Sequence, residues 1–310
     1  MVRRGGWPAA LFLASALLVK PVQDRVDASR GGPKIDPDLL YFSSPPVLKA
    51  LALGYDSLLA DIYWMRAIQY YGRRDEAARR PVRYKNLAAM LDIVTTLDPR
   101  MLDVYRAGSI FLAEPDPIGA GQPDAAMKLL DKGISLHPEE WRLRFDKGLA
   151  YFIYFKDPVR AARIWFEASR LASSPPWMEG LAARAFSEGG EIATAKDLYR
   201  RQFEGSDRRE VRENARDHLA SIQVDEDIWA LEFFVEKYVR SHGKPPAGLL
   251  DLIRAGLVRA VPLDPSGVAY AYDPATGKVR LSPESKVHYL ALPYDYREAY
   301  RKQLARAYGE

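Results

Sequence analysis

Asp61 and Arg66 stand five residues apart on an apolar, tyrosine-rich stretch, and they are the pair in this chain whose chemistry would be acid–base catalysis. Charge set among aromatic residues is desolvated, and desolvation moves pKa values toward those that proton transfer needs. An ion pair within a helix or between repeats explains the same two residues with fewer assumptions. Asp225, Glu226 and Asp227 form an acidic run that would suit a hard cation. Carboxylates just ahead of Ile228 also mark a helix start, where they meet the positive end of the helix dipole, and this is the preferred reading. Asp264, within Pro262-Leu263-Asp264-Pro265, is read as a turn residue. His137, His218, His242 and His288 are too scattered to form a ligand set, and His137, just before Pro138, is expected to face solvent. The chain lacks the phosphate-binding loop, the nucleophile elbow, the His-Glu-x-x-His zinc motif and the dinucleotide fingerprint. It also has no cysteine, which excludes disulfides, thiolate metal sites and cysteine nucleophiles. No catalytic residue, metal or cofactor is assigned, and an enzyme is not expected.

The elements that would carry these residues are helices. The charge of +4 over 310 residues gives no nucleic-acid footprint, and the length allows two domains with a sizeable core. Leu51, Tyr55, Leu58, Leu59, Ile62, Tyr63 and Tyr70 recur at three and four, which predicts one long helix from Leu48 to Tyr71. Pro99, Pro138 and Pro175 then fall 39 and 37 residues apart, each closing an Ala-rich amphipathic run. Val104, Ala107, Gly108 and Phe111 predict a helix, and Ala126, Leu130, Gly133 and Ile134 a second one after a Pro/Gly turn. Phe145, Gly148, Leu149 and Phe152 followed by Ala161, Trp165 and Ala168 repeat the arrangement, and Leu181, Ala183 and Phe186 followed by Ala195 and Tyr199 repeat it again. Gly or Ala lets two helix backbones approach while a neighbouring aromatic fills the space beside them. A single hairpin cannot bury its apolar face, so such units stack.

The spacing Ala126, Leu130, Gly133, Pro138 resembles the second helix of the tetratricopeptide repeat family, and the likeness runs roughly from Pro46 to Ile222. The first repeat departs from it, with Leu87, Leu91 and Val94 where small residues belong. The resemblance implies a mainly α fold, a right-handed α-solenoid whose first helices line a concave surface that takes peptides or partner proteins. On that scheme Tyr105, Ser109, Asp146, Tyr154 and Arg184 lie on the inner face, with Asp61, Trp64 and Gln69 added from the first long helix. Asp207 to Ser221 is expected as a capping helix of this 46–222 domain, and Ile228 to Ser241 as a separate helix opening a small α+β cap over 223–292, with a last helix in 293–310. Within the cap, Tyr270 to Leu281 reads as a hairpin around Pro274 and Gly277. Pro246, Leu249, Leu252, Gly256, Pro262, Asp264, Pro265, Gly267, Tyr270, Tyr272 and Gly277 resemble the C-terminal part of type II secretion major pseudopilins, some of which use the position of Asp264 for calcium.

At the other end, Arg3 and Arg4 precede an apolar stretch from Trp7 to Val19. That is the pattern of an export signal, and its thirteen residues fall short of the ~20 that span a bilayer. Residues 1–21 are read as a signal anchor or a cleaved signal peptide, and 22–45 as a linker. The expectation is an exported scaffold tethered to the bacterial inner membrane, with its bulk in the periplasm, binding protein or peptide partners in cell-envelope assembly. Two alternatives remain: an accessory factor of a type IV pilus or type II secretion system, and an enzyme or small-molecule binder with its site on the first long helix.

Overall fold

The computed structural model describes residues 20–22, 25, 44–72, 84–292 and 295–308. The expected signal segment and linker lie almost wholly outside these residues. Among the described residues the chain is mainly helical with one two-stranded sheet, and no helix is long and apolar enough to cross a membrane. The chain divides into two compact units, Met1–Leu97 and Asp98–Glu310.

The first unit holds α1 (Pro45–Leu51), α2 (Asp56–Tyr71) and α3 (Leu87–Leu97). The single helix expected from Leu48 to Tyr71 is broken in two, because Leu53 and Gly54 take φ of 50° and 90°. That left-handed turn suits glycine and interrupts the helical ladder. α2 buries Ala60, Tyr63, Ala67 and Tyr70 and packs on α3, which buries Leu87, Leu91 and Val94. The small residues missing from α3 are therefore supplied by α2. Tyr84 closes this unit by packing on Tyr70 and Tyr71 at 5.7 and 5.6 Å and donating its hydroxyl to the Tyr71 carbonyl at 3.0 Å.

In the second unit α4 (Leu102–Ala113), α5 (Pro123–Leu136), α6 (Trp141–Ile153), α7 (Pro158–Ser169), α8 (Met178–Glu188), α9 (Ile192–Gly205) and α10 (Arg209–His242) follow in order, each packed on the next. The expected hairpins are α4–α5, α6–α7 and α8–α9, and their seams are made as the small residues require. A β-carbon on Gly133 would fall 2.9 Å from the Tyr105 ring, and one on Gly148 would fall 2.2 Å from Trp165 Nε1. Ala126, Ala161, Ala168 and Ala195 are fully buried alongside. Consecutive hairpins are further tied by Arg106 on α4, whose Nε donates to Asp146 on α6 at 2.6 Å, and by the Tyr154 hydroxyl, which donates to Glu114 at 3.2 Å. His137 is not left to solvent: its Nε2 lies 2.8 Å from the Pro99 carbonyl, where it holds the end of α5 to the segment that leads into α4 of the same hairpin.

The largest departure from expectation is α10. The helices expected at Asp207 to Ser221 and Ile228 to Ser241 are one 34-residue helix, about 51 Å long at 1.5 Å per residue. The acidic run at 225–227 therefore lies in mid-helix and starts nothing. Its place there follows from what surrounds it. The Tyr289 hydroxyl donates to Asp225 at 2.8 Å, Tyr296 to Glu226 at 3.1 Å and Tyr270 to Asp227 at 2.9 Å, and Lys196 pairs with Glu226 at 2.8 Å.

The boundary expected at 222/223 thus falls inside an element shared by two cores. Ala215, Ile222 and Trp229 belong to the core of the hairpins, while Val224, Leu231, Phe234 and Val235 belong to that of the C-terminal module. Gly243, at φ 73°, ends α10 as a left-handed cap. Beyond it lie α11 (Leu250–Arg254) and the expected hairpin, β1 (Ala271–Asp273) antiparallel to β2 (Lys278–Arg280) with Tyr272 opposite Val279. α12 (Arg297–Ala307) returns to α10, where Tyr296 and Tyr300 meet Trp229 at 4.8 and 6.2 Å. Asp264 does serve a turn: its Oδ1 accepts from the Ser266 amide and hydroxyl and from the Val268 amide. Burial opposes its ionisation, but hydrogen bonds from Ser285, Val268 and Ser266 outweigh burial and hold the carboxyl at about 2.

Gly148→Ala is expected to destabilise the chain by ~1–3 kcal/mol through overpacking against Trp165. Gly205→Ala, on a helix end with nothing within 4 Å of the added carbon, is expected to change stability by less than about 0.5 kcal/mol. Urea unfolding of the two variants, followed by tryptophan fluorescence, separates these outcomes; equal midpoints would show that the seam tolerates bulk.

Candidate ligand groove

Two chambers open side by side on the second unit and share Trp177, Leu181 and Arg184 as a common wall. The first, of about 440 Å³, is lined by Phe145, Leu149 and Phe152 of α6, Trp165 of α7, and the shared residues. Helical spacing sets this lining: Phe145, Leu149 and Phe152 follow at four and three along α6, on one face. Trp165 donates its Nε1 to the Phe145 carbonyl at 3.0 Å, so its polar edge is satisfied within the protein. Phe145 stacks on Trp165 at 6.2 Å and meets Trp177 edge-on at 5.8 Å. Trp177 itself remains half exposed, with Arg184 beside it on α8. The chemistry of this chamber is apolar and aromatic, fitted to a large apolar group.

The second chamber, of about 380 Å³, is polar. Gln202 of α9 and Glu210, Asn214 and His218 of α10 line it, together with Gly180 of α8. Gln202 follows Leu198 at four, so the register of α9 carries it inward with the core residues, and it is 4% exposed. Among the described residues neither its Oε1 nor its Nε2 has a hydrogen-bond partner. A buried polar group left unsatisfied costs about 1–3 kcal/mol, and such an exception among buried groups calls for a reason. A β-carbon on Gly180 would sit at ordinary contact distance, 3.5 Å from Gln202 Oε1 and 3.8 Å from Asn214 Nδ2. His218 stacks on Tyr199 at 4.5 Å. Burial and the nearby Arg184 guanidinium lower the His218 pKa, against the pull of Asp217, so the imidazole is neutral near pH 7. Arg184 forms no ion pair among the described residues.

Of the eight residues expected on the binding face, Arg184 alone lines this groove. Tyr105 is fully buried, packed where Gly133 leaves room, and has no surface to offer a partner. Ser109 is buried and bonds back to the Arg106 carbonyl at 2.7 Å. Asp146 and Tyr154 are spent on the ties between hairpins. Burial raises the Asp146 pKa although Arg106 opposes it. Asp61 and Gln69 are exposed on α2 beside Leu58, Ile62 and Met65, with Trp64 half-buried. Among the described residues Asp61 makes no ion pair, and the Arg66 guanidinium lies over the Tyr63 ring at 5.5 Å. Among the described residues no group of His, Asp and Glu is placed to hold a metal ion. The groove residues that sequence reasoning missed, Trp177, Gly180, Gln202 and Asn214, lie on three segments, the start of α8, the end of α9 and the first turns of α10, and nothing in their local pattern marks them. Comparison of the chain with protein-family models, with curated proteins and with solved structures gave no match.

The tyrosine-bonded acidic run gives a pH signature. Burial raises the pKa of Asp225 and Asp227, each opposed by its tyrosine. A carboxyl whose pKa is higher folded than unfolded favours the fold most when protonated, and this advantage is lost as pH rises through the raised value. Asp227→Asn mimics the protonated form and still accepts from Tyr270. Its thermal midpoint is expected to exceed that of the native chain at pH 7 by a margin that shrinks toward pH 4; a margin independent of pH, measured by circular dichroism, would contradict this.

Proposed function

We propose that this chain is a helical-repeat scaffold that captures an extended segment of a partner protein in the two-chambered groove. The observation that carries the reading is the adjacency of two chambers, one aromatic and one polar, that have Trp177, Leu181 and Arg184 in common. Two neighbouring chambers of different chemistry suit successive side chains of a segment, and aromatic walls with a neighbouring arginine are the residue types that dominate binding energy at protein interfaces. Stacking of α4–α5, α6–α7 and α8–α9 supports a solenoid, in which the first helix of each pair faces the ligand and the second backs it. The resemblance of these pairs to tetratricopeptide repeats leads to the same partner class. The basic and then apolar N-terminus supports export and a tether in the bacterial inner membrane, with the groove in the periplasm.

A photo-crosslinking residue at Leu181, inside the groove, is expected to trap a discrete partner in living cells, whereas the same residue at Asp197, exposed on α9, traps none. The same adducts from both positions, or none from Leu181, would remove the groove from the proposal.

A further inference from the structure

α2 is apolar on two opposite faces, and among the described residues only one of them is covered. Ala60, Tyr63, Ala67 and Tyr70 recur at three and four and are buried on the side that packs against α3. At about 3.6 residues per turn Leu58, Ile62 and Met65 fall on the opposite side, where they are 57%, 40% and 54% exposed. Tyr55, the residue that caps α2, and Val47, Leu51 and Leu53 ahead of it are exposed as well. A surface helix of a soluble domain carries one apolar stripe with polar residues behind it, whereas the polar residues exposed on α2 are Ser57, Asp61 and Gln69 alone. We infer that the outer face of α2 is a second membrane contact: Leu58, Ile62 and Met65 lie in the headgroup region of an anionic bilayer. The inference rests on the N-terminal tether proposed above, which brings this face to the membrane.

Three observations favour lipid as the occupant. The face belongs to the first helices after the basic and apolar N-terminus, and residues 22–43 between them reach at most about 75 Å when fully extended. A tether of that reach makes interfacial binding intramolecular, so a shallow face of low affinity suffices. The sequence directly after α2 is basic, with Arg73, Arg74, Arg79, Arg80 and Arg83 against Asp75 and Glu76. These residues are outside the face, but charge of that sign adds to apolar burial in holding a helix at an anionic surface. Finally, α2 has 16 residues and is not apolar enough to cross a membrane, so its length and pattern fit a helix that lies on one. A second copy fits less well, because four partly exposed side chains on one short helix fall short of the roughly 800 Å² per partner that a stable protein interface buries.

The chain has no native cysteine, so single replacements carry an environment-sensitive fluorophore without background. The full-length chain is labelled at Leu58→Cys, Ile62→Cys or Met65→Cys, with Ala10→Cys reporting on the tether and Asp197→Cys on an exposed site of α9. Each is reconstituted into vesicles of phosphatidylethanolamine and phosphatidylglycerol that contain a nitroxide lipid. A nitroxide placed about 5–10 Å deep, the level of an interfacial helix, is expected to quench the labels at 58, 62 and 65 about twofold or more and to leave the label at 197 unquenched. Equal quenching of the three in vesicles of phosphatidylcholine alone would overturn the choice of an anionic surface. Quenching at position 10 without quenching at 58, 62 and 65 would overturn the inference and leave the tether standing, and the reverse pattern would keep the inference and remove the tether. Labels at the three positions that are shielded from aqueous iodide yet untouched by the nitroxide would assign the face to protein, a second copy included, and overturn the inference.

Discussion

Close approach of helix backbones at small residues, with an aromatic ring lodged in the space so made, is the contact on which the second unit rests. Tyr105 against Gly133 and Trp165 against Gly148 show it most sharply, since no β-carbon fits at either glycine. Dispersion and apolar burial at such seams reward only one register, because a slip of one residue sets a side chain against a ring. The seams lie between the helices of one pair and between successive pairs. They take up most of the inward face of α5, α7 and α9, from which Trp165 and Gln202 still reach the chambers, and leave part of α6, α8 and α10 to line a groove.

The rest of the chain uses a different device. α10 is too polar in its middle to be held by apolar packing alone, and Asp225, Glu226 and Asp227 are held instead by hydroxyls of Tyr289, Tyr296 and Tyr270, all brought by the C-terminal segment. Because the residues on either side of the run belong to two different cores, the tyrosine bonds fix where the hairpins end and the C-terminal module begins. Burial of these tyrosines and the nearby carboxylates keep their hydroxyls protonated far above neutral pH, Tyr289 being pushed up to about 12. The donors of this network are therefore constant over the range in which the carboxyls change.

The hairpins were legible because their determinants are local. Ala126, Leu130 and Gly133, or Ala161, Trp165 and Ala168, declare a helix face within eight residues. The hairpin around Gly277 was legible for the same reason. The continuity of α10 was not, since an acidic run followed by Ile228 has the local form of a helix start, and its true partners lie 43 to 70 residues away in sequence. Tyr105 reads alike toward core or groove, being an aromatic on a first helix; its burial follows from Gly133, which belongs to another helix. Gln202 was invisible for a deeper reason: a glutamine on an amphipathic helix is ordinary, and only the absence of partners in three dimensions makes it a candidate.

The division of each helix pair into a closed seam and an open groove wall is measurable by cysteine labelling, for which a chain without native cysteine is suited. Single replacements Leu181→Cys and Arg184→Cys on the groove wall should react with a maleimide within seconds to minutes in the folded protein, whereas Ala162→Cys and Ala195→Cys in the seams should react only after denaturant is added. Comparable rates at all four positions under native conditions would mean that the helices do not close on one another as described, and the groove would have no walls.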